Sequence, residues 1–130
     1  MGIVIPIYIK REFIQNNPQF TFVHSADYWN KLRVGPAGVC AGLPNCFGVA
    51  VRWRLCKSSG YFSDSNRDII MARIDKDIAK IPRDKPIILF PKIGSGHSLM
   101  YKFAPICFKH LSDELNKIKA EYKYDYYATA

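Results

Sequence analysis

This chain has no long apolar run and no two cysteines spaced as a CxxC pair. Without a run approaching the length of a bilayer crossing, no membrane-spanning helix is expected. The apolar opening, MGIVIPIYIKREF, is broken at Pro6 and again at Lys10 and Arg11, too early for a secretion signal, and reads as an early or edge strand. Cys40, Cys46, Cys56 and Cys107 are scattered through mostly apolar sequence, which argues against a secreted disulfide framework and for reduced thiols. His24, His97 and His110 show no ligand spacing to those cysteines, so no metal and no cofactor is expected. Acidic residues are scarce: eleven Asp and Glu stand against nineteen Lys and Arg, a net charge of +8. The surplus attracts anions, but it forms no dense basic tract or nucleic-acid motif, so sequence-specific nucleic-acid binding is not expected. A solvated basic surface accounts for the same charge.

What is present fits one domain over residues 1–130, with 48% hydrophobic residues to fill a core. Residues 3–9 and 20–24 read as strands separated by the turn signal Asn16-Asn17-Pro18. Residues 27–32 suit one or two helical turns. Over residues 49–55, Val49, Val51, Trp53 and Leu55 alternate with Ala50, Arg52 and Arg54, the period of a half-buried strand whose arginines face a cleft or water. From Ser65 onward, Ile70, Ile74, Ile78 and Ile81 recur at helical spacing, with Asp64 or Ser65 as N-cap and Pro82 as the stop. A second helix opens with Pro105 at its first position and carries Phe108, Leu111, Leu115 and Ile118 on one face. The tyrosine-rich residues 121–130 are a final edge strand or a tail.

Two segments stand out as ligand loops. Residues 86–99, PIILFPKIGSGHSL, run an apolar strand into Gly94-Ser95-Gly96 and on toward a helix. Glycines there let the backbone turn at positive φ and point N–H groups at an anion, the layout of a phosphate cradle, although an ordinary glycine turn has the same pattern. Residues 34–48 hold four glycines and two prolines, a shaped loop rather than regular structure. His97, beside the glycine turn, and Asp27 are the catalytic candidates, since both types move protons or orient donors. Cys40 and Cys46 have no readable base partner, so a thiol nucleophile is not expected.

The order of these words resembles a small phage-encoded macrodomain-like family, whose members run as FVFGDN, GGQAxxxRGxPNxxGIPTK, YFSD, FPxxGIGTGL and a helix opening at AP. The corresponding words here are FVHSAD at 22–27, VGPAGVCAGLPNCFGVAVR at 34–52, YFSD at 61–64, FPKIGSGHSL at 90–99 and Ala104-Pro105, covering residues 20–115. The resemblance implies an α/β fold: a single macrodomain-like three-layer domain with a mixed central sheet. It implies a pocket whose walls carry Gly35, Gly38, Gly42, Asn45, Arg52, Tyr61, Phe62, Asp64, Gly94, Ser95, Gly96, His97 and Ser98, with Tyr61 or Phe62 stacking on the ligand.

The departures point to binding rather than turnover. Ser25-Ala26-Asp27 replaces GDN, Pro36 replaces the Gln, Ala41 replaces the Arg, and Arg52 stands in the lysine position. The resemblance therefore implies a protein of the host-cell cytoplasm that sequesters a nucleotide or ADP-ribose-like defence signal. A hydrolase of an ADP-ribosyl or phosphoester bond, and an inhibitor that blocks a host protein, are the alternatives. A homo-oligomer that completes its pocket between subunits fits all three.

Overall fold

Every pairing between the described strands is parallel, and that one fact places the chemistry. The computed structural model describes residues 3–4, 10–29, 35–54, 60–90, 92–96, 98–118 and 122–123, with the backbone alone at 3–4, 35–37 and 122–123. In chain order the elements are β1 (Ile3–Val4), α1 (Arg11–Gln15), β2 (Thr21–Asp27), a 3₁₀ turn (Gly35–Cys40), β3 (Cys46–Arg52), a second 3₁₀ turn (Asp64–Asn66), α2 (Arg67–Ala79), β4 (Ile87–Leu89), α3 (Met100–Phe103), α4 (Pro105–Asn116) and β5 (Tyr122–Lys123). The sheet order is β1-β5-β4-β2-β3.

Strand β2 is central, and its sequence TFVHSAD is buried almost throughout, as a strand covered on both faces must be. Its register pairs Phe22 with Cys46 and Ile88, and Val23 with Phe47 and Leu89. Alternation then divides the core. Val23, Val49, Ile87 and Leu89 pack with Ile70, Ile74 and Ile78 of α2 and Cys107 and Leu111 of α4. Phe22, Ile88 and Phe90 pack on the other face with Ile14 of α1, Cys40 and Cys46. Each fully buried Ile, Leu or Phe contributes about 1.5–3 kcal/mol, so the larger cluster, with its two long helices, carries most of the burial.

The structure corrects several expectations. The sheet is not the mixed central sheet of a macrodomain-like three-layer domain: among the described residues only β2, β3 and β4 exceed two residues, all the strands pair in parallel, and the sheet stays open. What remains is a small α/β domain. Strand β2 continues through Asp27, where helical turns were expected, because Ser25, Ala26 and Asp27 keep pairing with β3. Strand β3 begins at Cys46 and ends at Arg52, three residues earlier at each end than the alternation suggested. The expected strand at residues 5–9 and the tail at 124–130 lie outside the described residues, while Tyr122–Lys123 joins the sheet between β1 and β4 rather than at an edge. No helix among the described residues is long and apolar enough to cross a membrane.

Candidate functional site at the carboxyl edge of the sheet

Because β2, β3 and β4 run the same way, their carboxyl ends share one edge. From β2 the chain goes on to β3 on one side; from β4 it goes on to β5 on the other. Adjacent strands whose connections leave in opposite directions open a crevice between their loops, the usual ligand position of open α/β sheets. In this topology that position falls beyond the ends of β2 and β4, which the chain leaves at Asp27 and Leu89.

Two charged side chains are buried at this edge. Asp27 and Arg52, each 5% exposed, end β2 and β3 and are register partners across an irregularity between Ala26 and Asp27. Burial of charge is costly unless the surroundings answer it. The Arg52 guanidinium lies 4.4 Å from the centre of the Tyr61 ring, and Tyr61 is bridged to Arg52 through the backbone. Tyr61 in turn stacks on Phe103 of α3 at 5.0 Å, so α3 closes against the end of β3. An aromatic wall continues beside them. Tyr28 packs on Trp53 at 4.7 Å, Trp53 meets the buried Phe62 edge-on at 5.1 Å, and Trp29 remains half exposed at the outer end. The Arg73 guanidinium lies over the Tyr28 ring at 5.4 Å. Tyr28 and Arg73, with Asp68, Ile69, Ala72 and Lys76, border an open groove of about 440 Å³.

The glycine loop divides into structural and available parts. Gly94 has φ +85°, and a Cβ there would meet the Phe108 ring at 2.9 Å, so this glycine exists to let the loop pack on α4. Gly96 has ordinary space around it. Lys92 (φ 56°) and Leu99 (φ 53°) hold left-handed conformations that L side chains adopt at a cost, so the loop's shape is imposed by its surroundings. Helix α3, which follows, has four residues, too few to present a helix dipole to a phosphate. The strand-loop-helix cradle read from the sequence is therefore incomplete. Ser98 is 2% exposed, and its hydroxyl has no hydrogen-bond partner among the described residues. Ser95 borders a separate cavity of about 200 Å³ with Lys92, Ser112 and Asn116 around an apolar floor.

The remaining candidates fall elsewhere. Gly35 and Gly38 lie in the 3₁₀ turn, with Gly38 exposed. Gly42 turns at φ +75° ahead of β3. Asn45 donates from Nδ2 to the Ile14 and Asn17 carbonyls and ties α1 to the start of β3, at the amino end of the sheet. Gly38, Gly42 and Asn45 thus do not form a wall opposite the glycine loop. Phe62 is core and has no face to offer a ligand. The two Asp64 oxygens accept the N–H groups of Ile106 and Cys107. His97 lies outside the described residues. The sequence reading passed over Tyr28, Trp53 and Arg73; an aromatic directly after each strand end was the signal that could have found the first two. It also placed the Arg52 side chain in water or a cleft, whereas it is buried at a strand terminus.

Residues 5–114 match one family model, described as a family of unknown function (DUF7831). No curated protein matches the chain, and no solved structure matches it. The sheet removes the macrodomain basis for the phage, ADP-ribose, nucleotide and anti-defence expectations, and none of the comparisons supports them.

Proposed function

The chain belongs to this family of unknown function, and from that premise we propose that it is a cytoplasmic binding protein for a small anionic molecule, held at the carboxyl edge of its sheet. The observation that carries the reading is the burial of Arg52 and Asp27 at the adjacent carboxyl ends of β3 and β2. A guanidinium fixed over the Tyr61 ring is already oriented, so little freedom is lost when it meets a carboxylate or phosphate. Ser98 adds a buried hydroxyl on the loop after β4, where a ligand would supply the missing bond. Among the described residues the edge holds no nucleophile beside a base, which favours capture over turnover. The buried cysteines Cys40, Cys46 and Cys107 suit a reducing compartment.

Thermal unfolding with inorganic phosphate, pyrophosphate, sugar phosphates and dicarboxylates tests this. Ligand at about a hundred times its dissociation constant adds about 2.7 kcal/mol, a rise of several degrees. Ser98→Ala should leave the free protein at least as stable and shrink that rise. No rise with any anion, or a rise that Ser98→Ala and Arg52→Lys both leave intact, overturns the reading. Recovery of a chemically altered ligand assigns turnover instead.

A further inference from the structure

Helices α2 and α4 pack side by side on one face of the sheet, far along the chain from each other. Where they meet, three metal-ligating side chains converge: Asp75 from α2, and His110 and Glu114 from α4, with one donor atom from each lying within 4.8 Å of the others. His110 and Glu114 are one turn apart, so both project from the same side of α4. The imidazole Nε2 of His110 stands 2.6 Å from Oδ1 of Asp75. The arrangement is not a group of acids alone. An imidazole and two carboxylates, brought from two helices, are a mixed nitrogen and oxygen donor set whose charge balances a dication when the imidazole is neutral.

We propose that Asp75, His110 and Glu114 form a zinc-type divalent site that clamps α2 to α4, with solvent completing the coordination sphere. Zinc bonds to nitrogen and carboxylate oxygen are about 2.0–2.2 Å, so donors on one tetrahedral ion stand roughly 3.4 Å apart. The separation of Asp75 and His110 is shorter because a proton now bridges them. Replacing that proton by the ion moves the two apart by less than an ångström. Bringing Glu114 in asks little more of a part-exposed side chain. Lys117 holds Oε1 of Glu114 at 3.0 Å, which leaves the second oxygen for the ion. The imidazole selects zinc, cobalt or nickel over magnesium and calcium. The described cysteines play no part: Cys40 and Cys46 belong to the opposite face, and Cys107 is buried beside Asp64.

The full chain is titrated with zinc chloride by calorimetry and with cobalt chloride by absorption. The expected result is one equivalent bound, a visible cobalt spectrum without sulfur charge-transfer bands, and a melting temperature that climbs with zinc concentration. His110→Gln and Glu114→Gln should each weaken binding by at least the roughly 10- to 100-fold that removal of a supporting group costs. Both substitutions are at part-exposed positions, and the metal-free variants should melt close to the parent. Absence of binding, binding that persists in His110→Gln, or a cobalt spectrum with sulfur charge transfer each overturns the proposal.

Discussion

Asp64 caps helix α4 at Cys107, across 43 residues of sequence, by accepting the Cys107 amide at 3.1 Å. The neighbouring Ile106 amide reaches the second oxygen at 3.0 Å. The need is plain from the helix itself: its N-cap is Ala104, which has no side-chain acceptor, and Pro105 opens the first turn. A carboxylate from elsewhere therefore answers the two exposed donors. The whole YFSD word acts as a clip of this kind. Tyr61 bridges to Arg52, Phe62 enters the core beside Trp53, Ser63 caps the 3₁₀ turn through the Ser65 amide, and Asp64 reaches α4.

Removing that cap gives the first prediction. Asp64→Ala should cost about 1–2 kcal/mol, the range of a lost N-cap, read as a lower urea midpoint. The pH dependence has a definite sign. Burial pushes the Asp64 carboxyl up, but the amides of Ile106 and Cys107, the Cys107 thiol and the Arg67 charge outweigh it and hold the carboxyl below its ordinary value. The stabilisation is therefore fully present above the unfolded carboxyl pKa of about 3.9. It is lost as pH falls through the lower native value. Asp64→Asn should lose this part of the acid sensitivity, so an unchanged acid midpoint would show that the carboxylate does not titrate with folding.

The same contact silences the thiol beside it. Burial, together with the Asp64 carboxylate that takes its hydrogen bond, pushes Cys107 up to about 12. At pH 8 almost no thiolate forms, and thiolate is the reacting species. Iodoacetamide should leave Cys107 unmodified in the native protein and label it in urea, with mass spectrometry locating the label. Labelling of Cys107 under native conditions at a rate typical of exposed thiols would contradict this.

How much of this was legible depended on the range of the interaction. The spacing of Ile70, Ile74 and Ile78 announced α2, and Pro105 announced α4, because helix periodicity and first-turn chemistry are local. Strand content was readable too, but parallel pairing is not, since which strands meet and in which order depends on residues far apart. Asp64 shows the limit well. Its position before an isoleucine ladder suggested the cap of the next helix, yet α2 is preceded by Asn66 with no side-chain cap, and the carboxylate serves a helix that begins some forty residues later. Arg52 misled for a related reason: arginine in an alternating strand is usually solvated, and the Tyr61 ring that covers its guanidinium comes from across a loop.

The two loop glycines should behave oppositely. At Gly94 a side chain must accept φ +85° and also displace Phe108 and Leu111, both within 3.3 Å of the new Cβ. Gly94→Ala should therefore destabilise by about 2–4 kcal/mol, strain and overpacking together. At Gly96 the nearest atoms, Cβ and O of Lys92, lie at 3.5 and 3.6 Å, an ordinary contact. Gly96→Ala should stay within about 0.5 kcal/mol of the parent. Chemical denaturation of the pair compares them directly, and equal losses would mean that the loop does not pack on α4 through Gly94.

Tyr61 tests whether Arg52 is held by an aromatic face or by bulk alone. Tyr61→Leu keeps an apolar side chain over the guanidinium but removes the ring at 4.4 Å and the stacking on Phe103 at 5.0 Å. A partly desolvated cation–π contact is worth about 0.5–2 kcal/mol and an aromatic pair about 0.5–1.5, so the expected loss is about 1–3.5 kcal/mol. Tyr61→Phe retains both faces and should lose far less. The Leu variant should also weaken any anion bound at the carboxyl edge, because an arginine no longer fixed by the ring must be ordered at the moment of binding. If Tyr61→Leu lowers stability but leaves anion affinity untouched, Arg52 is a structural cation and the ligand is held by the loop after β4.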